Sequence, residues 1–244
     1  MPAIKPTSVA VAERIRRALQ RGGSGEHAKG VQWFFKEEIK SHGWYTSDLR
    51  REAVRARGKI RKEHGVAFLL QVADHLFSGR VLEEKVFAVL MLEKLTAEFG
   101  EAEFRRFESW LRRISGWADH DALVHYLIAP MMASKPNRTK YVFRWVKSRD
   151  RWHRRAACVA LIQGTRRQMF FPAIVRLSNQ LLPDENDMVQ KGLGWLLRET
   201  AKADPKRTVP YLMNIRKRAP RLVLRTACET LPIETRKKIM AAVI

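Results

Sequence analysis

Three stretches of the chain, WHRRAACVAL at 152–161, MVQKGLGWLL at 188–197 and LVLRTACETL at 222–231, superpose without a gap. Arg155, Lys191 and Arg225 then share one column, 36 and 34 residues apart, and Cys158, Gly194 and Cys228 share another. Recurrence at this period marks stacked helix pairs, each too small to bury its apolar face alone, with small residues where neighbouring pairs approach closely. If the basic residue begins the inner helix of each pair, the column lines one concave side and the stack presents a curved cationic track. Any one of these residues alone could simply solvate a helix end; the shared column is what argues for a track. Lys85, in EEKVFAVLML at 83–92, precedes Arg155 by 70 residues, about two periods, and is a candidate for the same place in an earlier pair.

Outside these stretches the periodicity stays helical. Apolar residues recur at spacings of three and four, as in Phe87, Leu90, Met91 and Leu95, with Lys94 bordering the stripe. Breaks are expected at Gly43, Gly65, Ser78-Gly79, Gly100 and Gly116, around Pro136, and at Pro183, Pro205, Pro220 and Pro232. Near the N-terminus, RGGSGEHAKG at 21–30 clusters glycine with polar residues and reads as a loop, after which a long helical pattern begins. No Asn-Gly or Asp-Gly hairpin signal occurs, and no glycine fingerprint joins a strand to a helix. The fold class is therefore all-α, a solenoid of antiparallel helix pairs with a concave basic face. The 244 residues are expected to form one elongated domain, 1–244, with a helix and loop over 1–30.

Lysine and arginine number 47 against 25 acids, a formal net charge of +22. Such an excess attracts polyanions and makes binding fall steeply with salt, so nucleic acid leads the expected partners. No apolar run approaches the roughly 18 residues of a spanning helix, and anionic lipid ranks well behind nucleic acid. The opening MPAIKPTSVAVAERIRRALQ interrupts its apolar run with Glu13 and Arg14 and lacks a signal-peptide core, so a cytoplasmic location is expected. Cys158 and Cys228 are too few for a disulfide framework, have no neighbouring metal-ligand spacing, and read as small core residues.

Three segments could carry chemistry. ISGWADHDALVHYLI sets Trp117, Asp119, His120 and Asp121 at the start of a helix that then turns apolar. Asp119 is the natural cap, which leaves Asp121 spare, four residues from Trp117 and on its face of the helix. A metal site from His120, His125 and the acids is disfavoured, because the histidines are five apart and no second cluster follows; no metal and no cofactor are implied. In MVQKGLGWLLRETAK, Gly192 and Gly194 each cost about 1 kcal/mol in a helix interior, so close approach of a backbone or a ligand should compensate. Trp195 then borders a cleft or is simply core, and Arg198 follows it on the same helix. In DRWHRRAACVAL, Arg151, Arg154 and Arg155 surround Trp152 and His153 at a helix start, a pattern suited to phosphates and equally to a solvated helix end.

Taken together, SGWADHDAL, WHRRAA and KGLGWLLRETAK resemble the AlkD-like DNA alkylation repair glycosylases, which are built of HEAT-like helix pairs. The first is similar to the family's Trp, three residues, then Asp; the second to its Trp-x-x-Arg-Ala-Ala; the third to its Lys-x-x-Gly-Trp-x-x-Arg-Glu. The resemblance runs from roughly Val31 to Pro232 and is weakest over 1–30. It implies cleft tryptophans at Trp117 and Trp195, an essential aspartate at Asp121, and cleft arginines at Arg155 and Arg198; the basic pattern of DRWHRRAACVAL and the repeat column add Arg151, Arg154 and Lys191 as further expected DNA contacts. It also implies excision of purines alkylated at a ring nitrogen, of the 3-methyladenine and 7-methylguanine type, from double-stranded DNA in base excision repair, without base flipping. Relatives often carry a second tryptophan where this chain has Gly116, and an aspartate where it has Ala118. The resemblance assigns no role to Trp33, Phe34 and Phe35.

The bottom-up chemistry agrees with such an activity. An alkylated purine is cationic and a good leaving group, so a carboxylate that stabilises a sugar of oxocarbenium character, flanked by indole faces that favour a cation, is what the reaction needs. The alternative is a non-catalytic helical scaffold that binds nucleic acid through the same basic groove. Asp121 separates the two, because an acid in a cationic groove repels phosphate and is of little use to a pure binder. A monomer is expected, since the track should stay accessible.

Overall fold

The computed structural model describes residues 6–241. Among the described residues there are helices and turns and no strand, with one isolated parallel bridge between Lys40 and Val81. The chain divides into two compact units, Met1–Leu127 and Ile128–Ile244.

The first unit holds α1 (Ser8–Gly22), α2 (Gly25–Gln32), α3 (Thr46–Phe77), α4 (Leu82–Leu92), α5 (Glu101–Trp110) and α6 (Trp117–Leu123). Its centre is α4, where every residue but Val86 is buried, against α1, α3 and α6. A helix apolar nearly all round belongs in the interior, and the stripe through Phe87, Leu90 and Met91 is part of that core rather than one face of a surface helix. Gly65 interrupts α3 with φ +81° and ψ 176°, a left-handed φ that glycine adopts without the Cβ penalty, so the helix kinks there.

Two expectations fail near the N-terminus. The loop at 21–30 is mostly α2, because the Ser24 hydroxyl accepts from the His27 amide at 3.2 Å and supplies an N-cap inside the glycine-rich stretch. The helix expected to follow begins only at Thr46. In between, the buried Glu83 carboxylate accepts from the backbone N–H groups of His42 (2.9 Å) and Gly43 (2.8 Å) and from the Ser41 hydroxyl (2.5 Å). These tertiary bonds hold non-helical chain where local pattern favoured helix.

The second unit holds α7 (Ala129–Ser134), α8 (Thr139–Trp145), α9 (Arg151–Val159), α10 (Ile162–Thr165), α11 (Phe171–Leu181), α12 (Asp187–Ala203), α13 (Pro205–Ile215), α14 (Arg221–Ala227) and α15 (Ile233–Met240). The three superposed stretches fall on α9, α12 and α14, and α12 packs against both of the others. Side-chain caps start two of them: Asp150 accepts from the Trp152 amide at 2.9 Å and Asn186 from the Met188 amide at 3.1 Å. Prolines 205, 220 and 232 stand at helix starts, where a missing N–H costs nothing.

The column of small residues is where helices meet. A Cβ placed on Gly194 would lie 2.6 Å from Thr226 Cβ and 3.1 Å from the Val223 carbonyl oxygen, so α12 and α14 touch backbone to side-chain root. Cys158 and Cys228 are wholly buried, and burial pushes the Cys158 thiol far above its ordinary pKa against the opposing Arg155 charge. Both cysteines are core residues, as read.

Candidate functional site

In the first unit the site forms around α6. Gly116 is its N-cap, and Asp119, three residues in, accepts from the Ser115 and Gly116 amides, each at 2.8 Å. Asp119 is 0% exposed and faces Lys85 Nζ at 3.3 Å. The Lys85 ammonium also donates to Ser115 Oγ at 2.6 Å and to the Arg113 carbonyl. Burial lowers the Lys85 pKa, and the Asp119 charge and hydrogen bond pull against that shift. Asp119 is thus a structural cap, and Lys85, 2% exposed, is a buried counter-ion rather than a member of a surface track.

Asp121 is placed differently. It lies one turn after Trp117 on α6 with its side chain 19% exposed, and its Oδ1 is 2.7 Å from Nδ1 of His120, whose ring is completely buried. Of the two acids in the motif, one is locked into the helix start and the other reaches water.

Trp117 opens α6 half-buried. Phe35 stacks on its ring, centroids 5.1 Å apart and planes at 16°, and its indole N–H donates to the Phe34 carbonyl at 3.1 Å. The segment after α2 therefore covers one indole face and engages the N–H, a contact that the sequence reading missed. Gly116 makes room for it: a Cβ there would sit 3.1 Å from the Phe35 ring and 3.2 Å from Ile39 Cδ1. The glycine that departs from the family pattern is physically coupled to a phenylalanine eighty-one residues earlier. Beside that stack, Trp33 is 90% and Phe34 73% exposed.

In the second unit, Lys191, Trp195 and Arg198 share one face of α12 by their spacings of four and three. Lys191 is exposed, 3.5 Å from Asp187; Trp195 and Arg198 are half-buried. Burial works against the Arg198 charge, but hydrogen bonds to Glu229 (2.5 Å) and Glu199 (3.1 Å) outweigh it and raise its pKa.

The three arginines of α9 diverge. Arg151 lies over the Trp152 ring at 4.7 Å. Arg154 pairs with Asp184 at 2.5 Å and donates to the Ser148 and Arg149 carbonyls at 3.0 and 2.9 Å, tying the preceding turn to the start of α12. Arg155 is 6% exposed and donates to the Met188 carbonyl at 2.6 Å. It also fills the space that Gly192 leaves, where a Cβ would meet its Cγ at 3.1 Å. The basic column is consequently not uniform: Lys191 and Arg225 are exposed, whereas Arg155 is a bracket between α9 and α12. A repeat read from sequence locates equivalent positions, but burial depends on the neighbour, and Arg155 has Gly192 beneath its stem.

Among the described residues no three His, Cys, Asp or Glu side chains converge as a metal site would require, and no helix is long and apolar enough to cross a membrane.

With this geometry in place, three comparisons bear on its meaning. The model of a family described as DNA alkylation repair enzyme matches residues 15–231. Among solved structures, one described as a predicted DNA alkylation repair enzyme from Enterococcus faecalis superposes with a TM-score of 0.78 at 15% identity, covering 86% of this chain and 97% of that one. At that identity the likeness speaks for the fold. No curated protein matches the sequence.

Proposed function

Because this chain belongs to the DNA alkylation repair enzyme family, we propose that it is a DNA glycosylase that cuts the N-glycosidic bond of positively charged alkylpurines in duplex DNA. The observation that carries the reading is Asp121, a carboxylate 19% exposed beside Trp117 on a chain of net charge +22. A pure DNA binder would be weakened by that acid, whereas a reaction that develops positive charge on the sugar needs it.

In this mechanism the C1′–N bond breaks and its electron pair leaves with the purine, neutralising the charge that alkylation placed on the ring. The sugar is left with oxocarbenium character, which the Asp121 carboxylate stabilises. Water adds to C1′ and loses its proton to Asp121 or to bulk water, giving a free base and an abasic sugar. The Trp117 indole favours a cationic nucleotide over a neutral one by roughly 0.5 to 2 kcal/mol. As in the resembling family, the lesion is attacked without being drawn into a pocket, and neither metal nor cofactor takes part. Trp195 is assigned a second aromatic contact and Lys191 and Arg198 phosphate contacts on α12, with Arg151 as a further cation at α9. Arg154 and Arg155 support the elements carrying them. The protein acts as a monomer in base excision repair.

The test is release of free base from duplex DNA treated with a simple methylating agent, wild type against Asp121→Asn at matched folding. Release of methylated purines by the wild type alone is expected. No release by either, with salt-sensitive duplex binding retained, would replace the reading with a non-catalytic scaffold.

A further inference from the structure

We infer that His120 is a positioning residue for the Asp121 carboxylate, a donor held in the core that fixes the acid's orientation; the inference rests on the glycosylase reading above. His120 is 0% exposed, on the inner side of α6 between the buried Asp119 and the buried Ala122 and Leu123. An apolar residue is the default for such a place, and a ring taken out of water keeps its N–H groups satisfied or loses stability. The Nδ1 atom lies 2.7 Å from Asp121 Oδ1, the distance of a charge-assisted hydrogen bond. A carboxylate only accepts, so the proton of this bond sits on Nδ1 and the imidazole donates.

The asymmetry of burial sets the direction of the effect. The imidazole approaches from the interior and is completely covered, whereas Asp121 is 19% exposed. An aspartate on a helix surface ordinarily samples several χ1 and χ2 rotamers, and tethering Oδ1 from below restricts them. The acid then meets the developing charge already oriented, and no reorganisation is required in the transition state. Asp119 does not substitute for it, being occupied by two backbone amides and Lys85. Histidine here serves the carboxylate, so the acid remains the group that faces the sugar.

The experiment separates donor from shape. In the base-release assay under single-turnover conditions, His120→Leu fills the space without a donor, and His120→Asn puts an amide N–H near the Nδ1 position while leaving part of the space empty. Base release is expected to fall about tenfold to a hundredfold in His120→Leu and to be largely restored in His120→Asn, with duplex affinity unchanged in both. Thermal stability is expected to rank the other way, Leu above Asn. Should the leucine variant not fold, His120→Gln, which keeps a buried amide but moves it beyond the Nδ1 position, takes its place with the same expected loss. Activity that follows melting temperature across the variants, or a leucine or glutamine variant as fast as wild type, overturns the positioning role while leaving Asp121→Asn to decide the glycosylase reading independently. A wild type that releases no base removes both.

Discussion

Alanine substitution at two glycines of one helix gives opposite results if the contacts described here are right. Gly192 and Gly194 both sit inside α12, and replacing either by alanine gains about 1 kcal/mol of helix propensity. That gain cancels in a comparison of the two, which leaves packing. At Gly192 the new Cβ meets Arg155 Cγ at 3.1 Å, in a long side chain that yields by a few tenths of an ångström. At Gly194 it meets Thr226 Cβ at 2.6 Å and the Val223 carbonyl at 3.1 Å, atoms fixed to α14. Ordinary contact lies near 3.5 to 4.0 Å, so α14 must retreat by roughly 1 Å along its length. Overpacking of this kind costs about 1 to 3 kcal/mol. Gly192→Ala is therefore expected to be neutral or slightly stabilising, and Gly194→Ala to be destabilising by up to about 2 kcal/mol net, or up to roughly 8 °C in Tm. Urea denaturation followed by circular dichroism reads the difference from the midpoints, provided the m-values agree. Gly58→Ala in α3, where a Cβ meets nothing within 4 Å, supplies the unopposed propensity gain. If Gly194→Ala is as stable as Gly192→Ala, α12 and α14 do not approach as described.

Further substitutions probe the other contacts. Asp119→Ala strands the Lys85 ammonium in the core and is expected to cost about 3 kcal/mol or more, measured by the same denaturation; a loss below about 0.5 kcal/mol would mean that the pair is solvated. Lys191→Ala is expected to reduce the slope of log K against log salt for duplex DNA by about one unit, read by fluorescence anisotropy, whereas Arg154→Ala should lower the melting temperature and leave that slope alone. Equal slopes in wild type and Lys191→Ala would place the lysine off the DNA. Cys158 is expected to resist thiol reagents in the folded protein and to react on unfolding; rapid labelling under native conditions would contradict its burial.

Much of the candidate site was legible because it is local. Asp119 as a cap and Asp121 as the remaining acid follow from their places in one helical turn, and the glycine and proline breaks follow from backbone chemistry. Lys191, Trp195 and Arg198 share a face by spacing alone. The stack of Phe35 on Trp117 was not legible, since the rings are far apart in sequence and the only trace is Gly116, whose missing side chain leaves the space. His120 carried no positive signal, because spacing already disfavours it as a metal ligand and its burial and contact with Asp121 appear only in the folded chain. Arg154 and Arg155 were read with Arg151 as one cationic group, yet the Asp184 carboxylate and the Met188 carbonyl engage two of the three.

The sequence by itself determined the all-α class, most helix boundaries at glycine and proline, the small-residue column and the family, because each is written in local backbone preference or in the recurrence of residue types along the chain. Only the tertiary structure decided which charges face water. Arg155, Lys191 and Arg225 are equivalent in the repeat and differ in exposure, and Asp119 and Asp121 are two residues apart and differ likewise. Burial is set by what a neighbouring element brings to the same place, here Gly192 beneath Arg155 and Lys85 beside Asp119, and that juxtaposition exists only once distant helices have packed.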